Sequence, residues 1–236
     1  MGNNYVSGDK HGNLQGIVKF NHVNRKELTK EDYIIIAGDW GFPWNNSTLN
    51  EDLYWLNWID KYCRATILFV DGNHDRNDLF AKMPVIEMFG GGVNKINNSV
   101  YHLMRGNVYN INDIKIFTFG GAYSIDTHRR IEGKDWWPEE MPSKAEEDFG
   151  LENLEKHGNK VDYIITHDAP FSFPGSHHYG EENGLKKYLN HINTIVEYKY
   201  WFFGHHHVDI DFKATKENGF TKNFRCLYHD IIKLER

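Results

Sequence analysis

One recurring pattern constrains the fold of this chain more than any other feature. A short run of aliphatic and aromatic residues stops abruptly in a polar, ionisable cluster, and this happens in NYVSGDKHG, YIIIAGDWG, TILFVDGNHD, DYIITHDAP and KYWFFGHHH. Apolar runs of this length that end at glycine or polar residues are typical of buried β-strands. The pattern therefore predicts five strands, each followed by residues that can do chemistry.

The segments between these runs have helical character. STLNEDLYWLNWIDKYC spaces its leucines near the helical period and begins with Ser47, a residue suited to the N-cap. PSKAEEDFGLENLEKHG begins with Pro142 and Ser143, carries acidic residues in its first turns and ends with His157 and Gly158. Strands that alternate with helices predict an α/β fold.

A second strand-rich region runs from about Ser99 to Ser124, and its sequence predicts a hairpin that turns at Asn112 and Asp113. The C-terminal stretch FRCLYHDIIKLE predicts a further strand or pair of strands. We therefore expect two packed sheets flanked by helices in a single domain, residues 1–236.

Composition narrows the class of protein. A net charge of −6 argues against a protein that holds long nucleic acid by charge alone. The two cysteines, Cys63 and Cys226, are too few for a disulfide framework, which favours a reducing, cytoplasmic setting. No apolar run approaches the roughly 18 residues that a membrane helix needs, so we expect no membrane partner.

The predicted strands end in metal-ligand chemistry. In open α/β sheets, ligands bind beyond the carboxyl ends of the strands. The candidate donors at those ends are Asp9, His11, Asp39, Asn73, His74, His167 and His205 to His207. Mixed carboxylate, amide and imidazole donors suit Mn, Fe, Zn or Ni, and the lack of cysteine among them argues against a structural zinc site.

The order of these residues resembles the calcineurin-like metallophosphoesterase superfamily, and the segment GGAYSIDTHRR resembles one found in its bacterial and phage members. The matching series is D-x-H at 9–11, G-D at 38–39, G-N-H-D at 72–75, a lone histidine at 167 and G-H-x-H at 204–207. The resemblance implies a four-layer α/β/β/α sandwich with two mixed sheets. It also implies a hydrolase that acts on a phosphomonoester or a phosphodiester.

The resemblance further implies two divalent metal ions, with manganese favoured. The implied ligands are Asp9, His11 and His207 for one metal, Asn73, His167 and His205 for the other, and Asp39 as the bridge between them. The implied reaction is in-line attack by a metal-bound hydroxide, with His74 as general acid. Asp75 is the second candidate catalytic residue, and we expect it to brace the loop or orient a histidine.

The sequence departs from the protein Ser/Thr phosphatase branch, which extends its second motif to GDxxDRG. Here the motif reads GDWGFPW, with Phe42 and Pro43 in place of the aspartate and the arginine. We therefore do not assign the chain to that branch. Arg129 and Arg130 are the candidate substrate-binding residues, because a guanidinium there would reach phosphate, although a solvated surface pair explains them equally well.

Several questions stay open from the sequence. The expected partner is a small phosphorylated substrate or a nucleotide, with a nuclease or nucleotide phosphodiesterase of the same superfamily as the closest alternative. A non-catalytic protein-binding scaffold is the alternative from another class. The natural substrate, the oligomeric state and the roles of four aromatic and imidazole side chains are undetermined; these are Trp136, Trp137, His177 and His178.

The three consecutive histidines raise a last question. If residues 204–207 are extended, alternate side chains point the same way. His205 and His207 would then enter the site together while His206 points away. On this reading, the histidine cluster is two ligands and a spacer.

Overall fold

A mixed sheet forms one half of the computed structural model, which describes residues 2–44, 50–170, 183–215 and 221–236. Within these ranges the first sheet has the order β13-β1-β2-β3-β6-β5-β4. Its strands are β1 (Asn4–Ser7), β2 (Tyr33–Ala37), β3 (Thr66–Val70), β4 (Val85–Met88), β5 (Gly91–Lys95), β6 (Val100–Leu103) and β13 (Ile231–Lys233). The central strands β1, β2, β3 and β6 are parallel, and antiparallel pairings add the outer strands.

The second sheet is also mixed and has the order β11-β12-β10-β9-β8-β7. Its strands are β7 (Val108–Ile111), β8 (Ile114–Phe119), β9 (Tyr163–Thr166), β10 (Tyr200–Phe203), β11 (Ile210–Thr215) and β12 (Thr221–Cys226). Strands β8, β9, β10 and β12 run parallel, whereas β7 and β11 pair antiparallel to their neighbours. All five strands predicted from the recurring pattern are present, three in the first sheet and two in the second.

Helices cover the outer faces of both sheets. The helices within the described ranges are α1 (Gln15–Val23), α2 (Asn50–Tyr62), α3 (Asn77–Phe80), α4 (Lys144–Lys156) and α5 (Gly184–Ile195). As expected, α4 begins after Ser143, whose hydroxyl accepts the Glu146 amide in a reciprocal capping box. The residue predicted to cap α2, Ser47, lies outside the described residues. None of the described helices has the length and apolar character to cross a membrane.

The side-chain alternation of the strands creates separate apolar layers. On β2, Ile35 and Ala37 pack between the two sheets, whereas Ile34 and Ile36 pack toward α1 and α2. A third cluster lies between the second sheet and α5, whose Leu185, Leu189 and Ile192 are buried there. The resulting layers are helix, sheet, sheet and helix. The α/β fold with two mixed, helix-flanked sheets is therefore confirmed.

The predicted hairpin is confirmed at Asn112 and Asp113. Both residues have positive φ, 51° and 64°, and they join β7 to β8. Two consecutive left-handed residues are the conformation of the tight turn that connects twisted antiparallel strands, and asparagine and aspartate tolerate it best. The predicted C-terminal strands correspond to β12 and β13.

Candidate metal centre

The polar strand exits of the two sheets meet at one edge of the sandwich. β1, β2 and β3 are neighbours in the first sheet, and β9 and β10 are neighbours in the second. Because all five point their carboxyl ends the same way within each sheet, the residues that follow them come together. Donor atoms from all five strand exits lie close to one another.

The first group of donors comes from both sheets. Asp9, His11, Asp39 and His207 each offer a ligand atom, and these atoms lie within 4.8 Å of one another. The Nε2 atoms of His11 and His207 are 3.0 Å apart, and Nε2 of His207 lies 3.0 Å from Oδ2 of Asp9. Imidazole and carboxylate lone pairs that converge in this way are the arrangement that a cation satisfies.

The second group surrounds the fully buried His167. Its Nδ1 donates to the carbonyl of Ala37 at 2.8 Å, which leaves Nε2 facing the site. Nε2 lies 3.1 Å from Oδ1 of Asn73, and the ring of His205 is 5.1 Å away between centroids. Burial lowers the pKa of His205 to about 4, so this ring keeps a lone pair available for a cation.

Asp39 lies between the two groups. Its Oδ2 is 3.6 Å from Nε2 of His11 and 3.4 Å from Nε2 of His167. Burial alone would raise the pKa of Asp39, but the imidazoles of His167, His74 and His11 together outweigh burial and hold it below its usual range. Burial alone would likewise lower the pKa of His167, but Asp39 raises it to about 10. An ionised carboxylate between imidazoles, with no sulfur donor, fits borderline divalent cations.

Several of these ligands have strained backbones. His11, Asp39, His205 and His207 all have φ between 45° and 65°, in the left-handed region that residues with a Cβ seldom occupy. Each such residue costs on the order of 1–3 kcal/mol and persists where the surroundings fix it, most often at functional sites. The strain therefore marks this edge of the sandwich as selected for something other than stability.

The same dihedrals correct the expectation that residues 204–207 are extended. With φ of 65° at His205 and 52° at His207, the chain bends twice after β10. The side chains of His205 and His207 still line the same cleft, and His206 is directed elsewhere. Left-handed turns, not strand alternation, produce that arrangement.

His206 is a buried residue and not a solvent-facing spacer. Its side chain is 3% exposed and its Nε2 lies 3.7 Å from Oδ1 of Asp168, whose carboxylate is also near Lys186. Its ring packs edge-on against Phe203. His206 thus anchors the turn that carries the two neighbouring histidines.

Two glycines permit the close approach of the ligand loops. A Cβ on Gly72 would lie 2.1 Å from Oδ1 of Asp39, and a Cβ on Gly204 would lie 2.0 Å from Oδ1 of Asp9. No side chain fits at either distance, so both positions need glycine.

A hydrogen-bond relay that the sequence did not reveal orients Asn73. Its Nδ2 donates to Oγ of Ser124 at 3.0 Å, and that hydroxyl donates to Oε2 of Glu140 at 2.7 Å. The Ser124 amide also donates to Glu140 at 2.8 Å. Because the hydroxyl has one hydrogen and gives it to the carboxylate, the amide nitrogen of Asn73 must face Ser124 and its Oδ1 must face the site. Such partners commonly tune metal ligands.

A second residue missed from the sequence supports His207. The ring of Tyr228 stacks on the His207 imidazole, with centroids 4.8 Å apart and planes 17° apart. Tyr228 follows β12, so its contact with His207 depends on the register of the second sheet. Nothing in the local sequence around position 228 indicates it.

His74 lies at the junction of two clefts. One, the metal cleft, has a volume of about 170 Å³ and is lined by Asp39, Asn73, His74, Tyr123, Ser124, Ile125, Asp126, Arg130, His205 and His207. The other, the aromatic cleft, has a volume of about 380 Å³ and is lined by His11, Gly12, Gly41, Phe42, Trp44, Asp52 and His74. Burial lowers the pKa of His74, Asp39 opposes that effect and Arg130 adds to it.

The two candidate substrate-binding arginines differ in their surroundings. Arg130 lines the metal cleft, and its Nη1 lies 3.3 Å from Nδ1 of His74. Its Nε and Nη2 donate to the two carboxylate oxygens of Asp126 at 2.7 Å and 2.9 Å. Arg129 is exposed and is not among the residues that line either cleft.

Of the two roles expected for Asp75, its hydrogen bonds correspond to bracing the loop. Its carboxylate accepts the backbone amides of Trp40, Gly41 and Gly72 at 3.1 Å, 2.8 Å and 2.9 Å. These bonds tie the loop after β2 to the loop after β3. Burial and the nearby Asp39 raise the pKa of Asp75. Asp75 acts on the site through the backbone that holds Asp39.

The tryptophans lie behind the clefts. Trp137 is 4% exposed, its ring meets that of Trp44 edge-on at 5.6 Å, and the Arg76 guanidinium lies over it at 4.5 Å. Neither Trp136 nor Trp137 lines a cleft. The expectations for His177 and His178 fall outside the described residues.

Comparison with known proteins agrees with this geometry. The profile of the calcineurin-like phosphoesterase family matches residues 5–209, which include every proposed ligand. A search of curated proteins found no match. Because the family match spans most of the sequence and the fold agrees with it, the chain belongs to the calcineurin-like phosphoesterases.

Proposed function

We propose that the protein is a dinuclear-metal-dependent phosphoesterase that hydrolyses a phosphomonoester or phosphodiester. The observation that carries the proposal is the position of Asp39, whose carboxylate lies between imidazoles of two donor groups. Asp9, His11 and His207 would hold one cation, and Asn73, His167 and His205 the other, with Asp39 shared. Manganese is the favoured metal, and bound metals of this kind activate water and neutralise phosphate charge.

The chain's own residues would divide the remaining work. Arg130 lines the metal cleft with its charge paired to Asp126, so the bound cations would supply most of the positive charge that a phosphate requires. His74, at the junction of the clefts, is placed to give the departing oxygen a hydrogen bond or a proton. Asp75 and the Ser124 relay hold the ligand loops in place. The aromatic cleft beyond His74 would take the leaving group.

A nuclease or nucleotide phosphodiesterase is the second candidate, and the aromatic cleft is the observation that favours it. Trp44 is half-buried and offers indole surface of the kind on which a nucleobase stacks, whereas Phe42, which also lines the cleft, is 4% exposed. Asp52 and Asp126 add negative charge to the two clefts, which with the net charge of −6 disfavours long duplexes. DNA binding with no salt dependence would count against a nuclease.

Turnover of p-nitrophenyl phosphate and bis-p-nitrophenyl phosphate with added Mn²⁺ tests the proposal. We expect activity in the wild type and its loss in Asp39→Asn, because the shared ligand is removed. Asp113→Asn is the matched control, since Asp113 is exposed in the β7–β8 turn where asparagine is equally suited. Full activity in Asp39→Asn would contradict the proposed site.

The same experiment separates an enzyme from a scaffold. A protein-binding scaffold that keeps the metals would bind Mn²⁺ and hydrolyse no ester. A wider screen of 2′,3′-cyclic nucleotides, dinucleotides and short DNA, each with several metals, then ranks the ester classes. His74 and all proposed ligands are present, which favours the enzyme.

A further inference from the structure

The contact between Arg130 and His74 has a direction that hydrogen-bond chemistry fixes. The guanidinium is a donor and has no acceptor, so at 3.3 Å from Nη1 the Nδ1 atom of His74 must be the acceptor. A ring that accepts at Nδ1 carries its hydrogen on Nε2. Nε2 points away from Arg130, on the other side of the imidazole.

Arg130 is itself held in this position. Asp126 takes two of its N–H groups in a bidentate pair, and the carbonyl of Asp135 accepts from Nη1 at 3.1 Å. Its side chain is 21% exposed. A guanidinium that is clamped at three nitrogens presents its remaining Nη1 hydrogen in a defined direction, which is toward the His74 ring.

We infer that Arg130 is a positioning residue for His74, and that it fixes the imidazole as an Nε2–H hydrogen-bond donor toward the substrate. This inference rests on the proposed phosphoesterase function for the identity of the acceptor, which would be an oxygen of the ester. It differs from direct phosphate binding by Arg130, the role that the sequence suggested. It also differs from positioning by a carboxylate, which would accept a hydrogen from Nδ1.

The assignment has a consequence for the substrate. An imidazole with its single hydrogen on Nε2 can share that hydrogen with a departing oxygen, but complete transfer would leave an imidazolate. The enzyme would therefore act on phosphoesters whose leaving groups depart without full protonation, such as aryl esters. The half-buried Trp44 ring in the aromatic cleft suits an aryl or nucleobase group next to that oxygen.

The tautomer is measured directly by two-bond ¹H–¹⁵N correlation spectra of the protein prepared without added metal, with His74→Ala to assign the signal. We expect His74 to carry its hydrogen on Nε2 in the wild type and to become a mixture of tautomers in Arg130→Met. Lys134→Met is the matched control, since Lys134 is an exposed residue of the same segment. A wild-type ring with its hydrogen on Nδ1 would overturn the inference, whatever the protein hydrolyses.

Kinetics on p-nitrophenyl and phenyl phosphate separates positioning from direct binding. For positioning we expect Arg130→Met to lower kcat about tenfold to a hundredfold with little change in KM. We expect Arg130→Lys to restore part of the loss, and the loss to vanish when His74 is already alanine. A rise in KM by the same factor in both backgrounds would instead show direct phosphate binding and overturn the inference.

The hydrogen-bond role of His74 has its own test. Glutamine can donate a hydrogen bond but cannot act as an acid, so we expect His74→Gln to keep more activity than His74→Ala. Equal loss in the two variants would show that the substrate needs a proton and would contradict the donor role. Absence of turnover in the wild type would refute the proposed function, and the tautomer measurement would still decide the role of Arg130.

Discussion

The relay from Glu140 through Ser124 to Asn73 predicts the effect of one missing hydroxyl. Ser124→Ala removes a 3.0 Å bond from the Asn73 amide and a 2.7 Å bond to the Glu140 carboxylate. Ser124, Asn73 and Glu140 are 3%, 6% and 1% exposed, so both bonds lie in largely buried surroundings where a lost hydroxyl is poorly replaced. A neutral bond contributes about 0.5–1.5 kcal/mol and one to a charged group about 1.5–3 kcal/mol, so we expect a stability loss of roughly 2–4.5 kcal/mol.

The same change should weaken metal binding at the Asn73 site. Without Ser124 the amide is free to turn its nitrogen toward the cation, and loss of a partner of this kind typically costs 10- to 100-fold in affinity, which is about 1.4–2.7 kcal/mol. Calorimetric titration with Mn²⁺ measures the affinity, and urea unfolding of the protein without added metal measures stability. We expect the weaker affinity at one site, with the His11 and His207 site unchanged.

Ser143→Ala is the matched control for this experiment. It removes a serine hydroxyl that caps α4 far along the chain from the ligand loops, and should cost about 1 kcal/mol of stability. We expect no change in its Mn²⁺ affinity. If Ser124→Ala lost stability but bound Mn²⁺ as tightly as Ser143→Ala, the relay would not orient the ligand and the reasoning would be refuted.

Other predictions follow from the buried charges. His206→Ala should keep most activity at saturating metal but lose about 1–3 kcal/mol of stability, because the buried Asp168 carboxylate loses the imidazole beside it. His207→Ala should lose activity. Equal activity losses in the two variants would contradict this division. Arg105→Met should lose about 3–5 kcal/mol in urea unfolding, since Asp71 would be left buried beside one fewer cation, and a loss below 1 kcal/mol would contradict it. Burial alone would raise the pKa of Asp71, but Arg105 and then His102 hold it below its usual range. The stabilisation is therefore present above about pH 4 and is lost as pH falls further, so acid unfolding of Asp71→Asn should depend less steeply on pH than that of the wild type.

Much of the fold was accessible from the sequence because its signals are local. The strand runs, the helix near Ser143 and the turn at Asn112 and Asp113 are each specified by neighbours in the chain, and the structure confirms them. Helix α5 was not predicted, although Leu185, Leu189 and Ile192 have helical spacing. The strands β4, β5 and β11 were missed as well. In β4 and in residues 210–213 of β11 the side chains are half-buried or exposed, so neither sequence has a continuous apolar run.

The candidate donor residues of the site were predictable from the sequence, but the residues that hold those donors in place were not. The order of motifs indicated the residues whose polar atoms the structure brings together at this edge of the sandwich, because each follows a strand. Ser124 and Glu140 are 16 residues apart, and Tyr228 is 21 residues from His207, so their contacts exist only after the sheets have packed. The left-handed backbone of His205 and His207 could not be predicted, because histidine adopts that conformation too seldom for its presence to indicate one.

The contact between Arg130 and His74 was likewise not predictable from the sequence. Its sequence position after a strand exit indicated a guanidinium near the site, and the structure places it there. Its partner could not be inferred, because Asp126 and His74 compete with a phosphate for the same N–H groups. Residue type and position indicated the chemistry, and the three-dimensional arrangement assigned the role.

In the proposed function, Asp39 joins two donor groups into one dinuclear centre. Electron paramagnetic resonance of the protein with two equivalents of Mn²⁺ measures this junction, because two ions that share a carboxylate ligand are magnetically coupled. We expect two bound equivalents and a coupled spectrum in the wild type and Asp113→Asn, and loss of the coupling in Asp39→Asn. One bound equivalent, or two uncoupled ions in the wild type, would contradict the account.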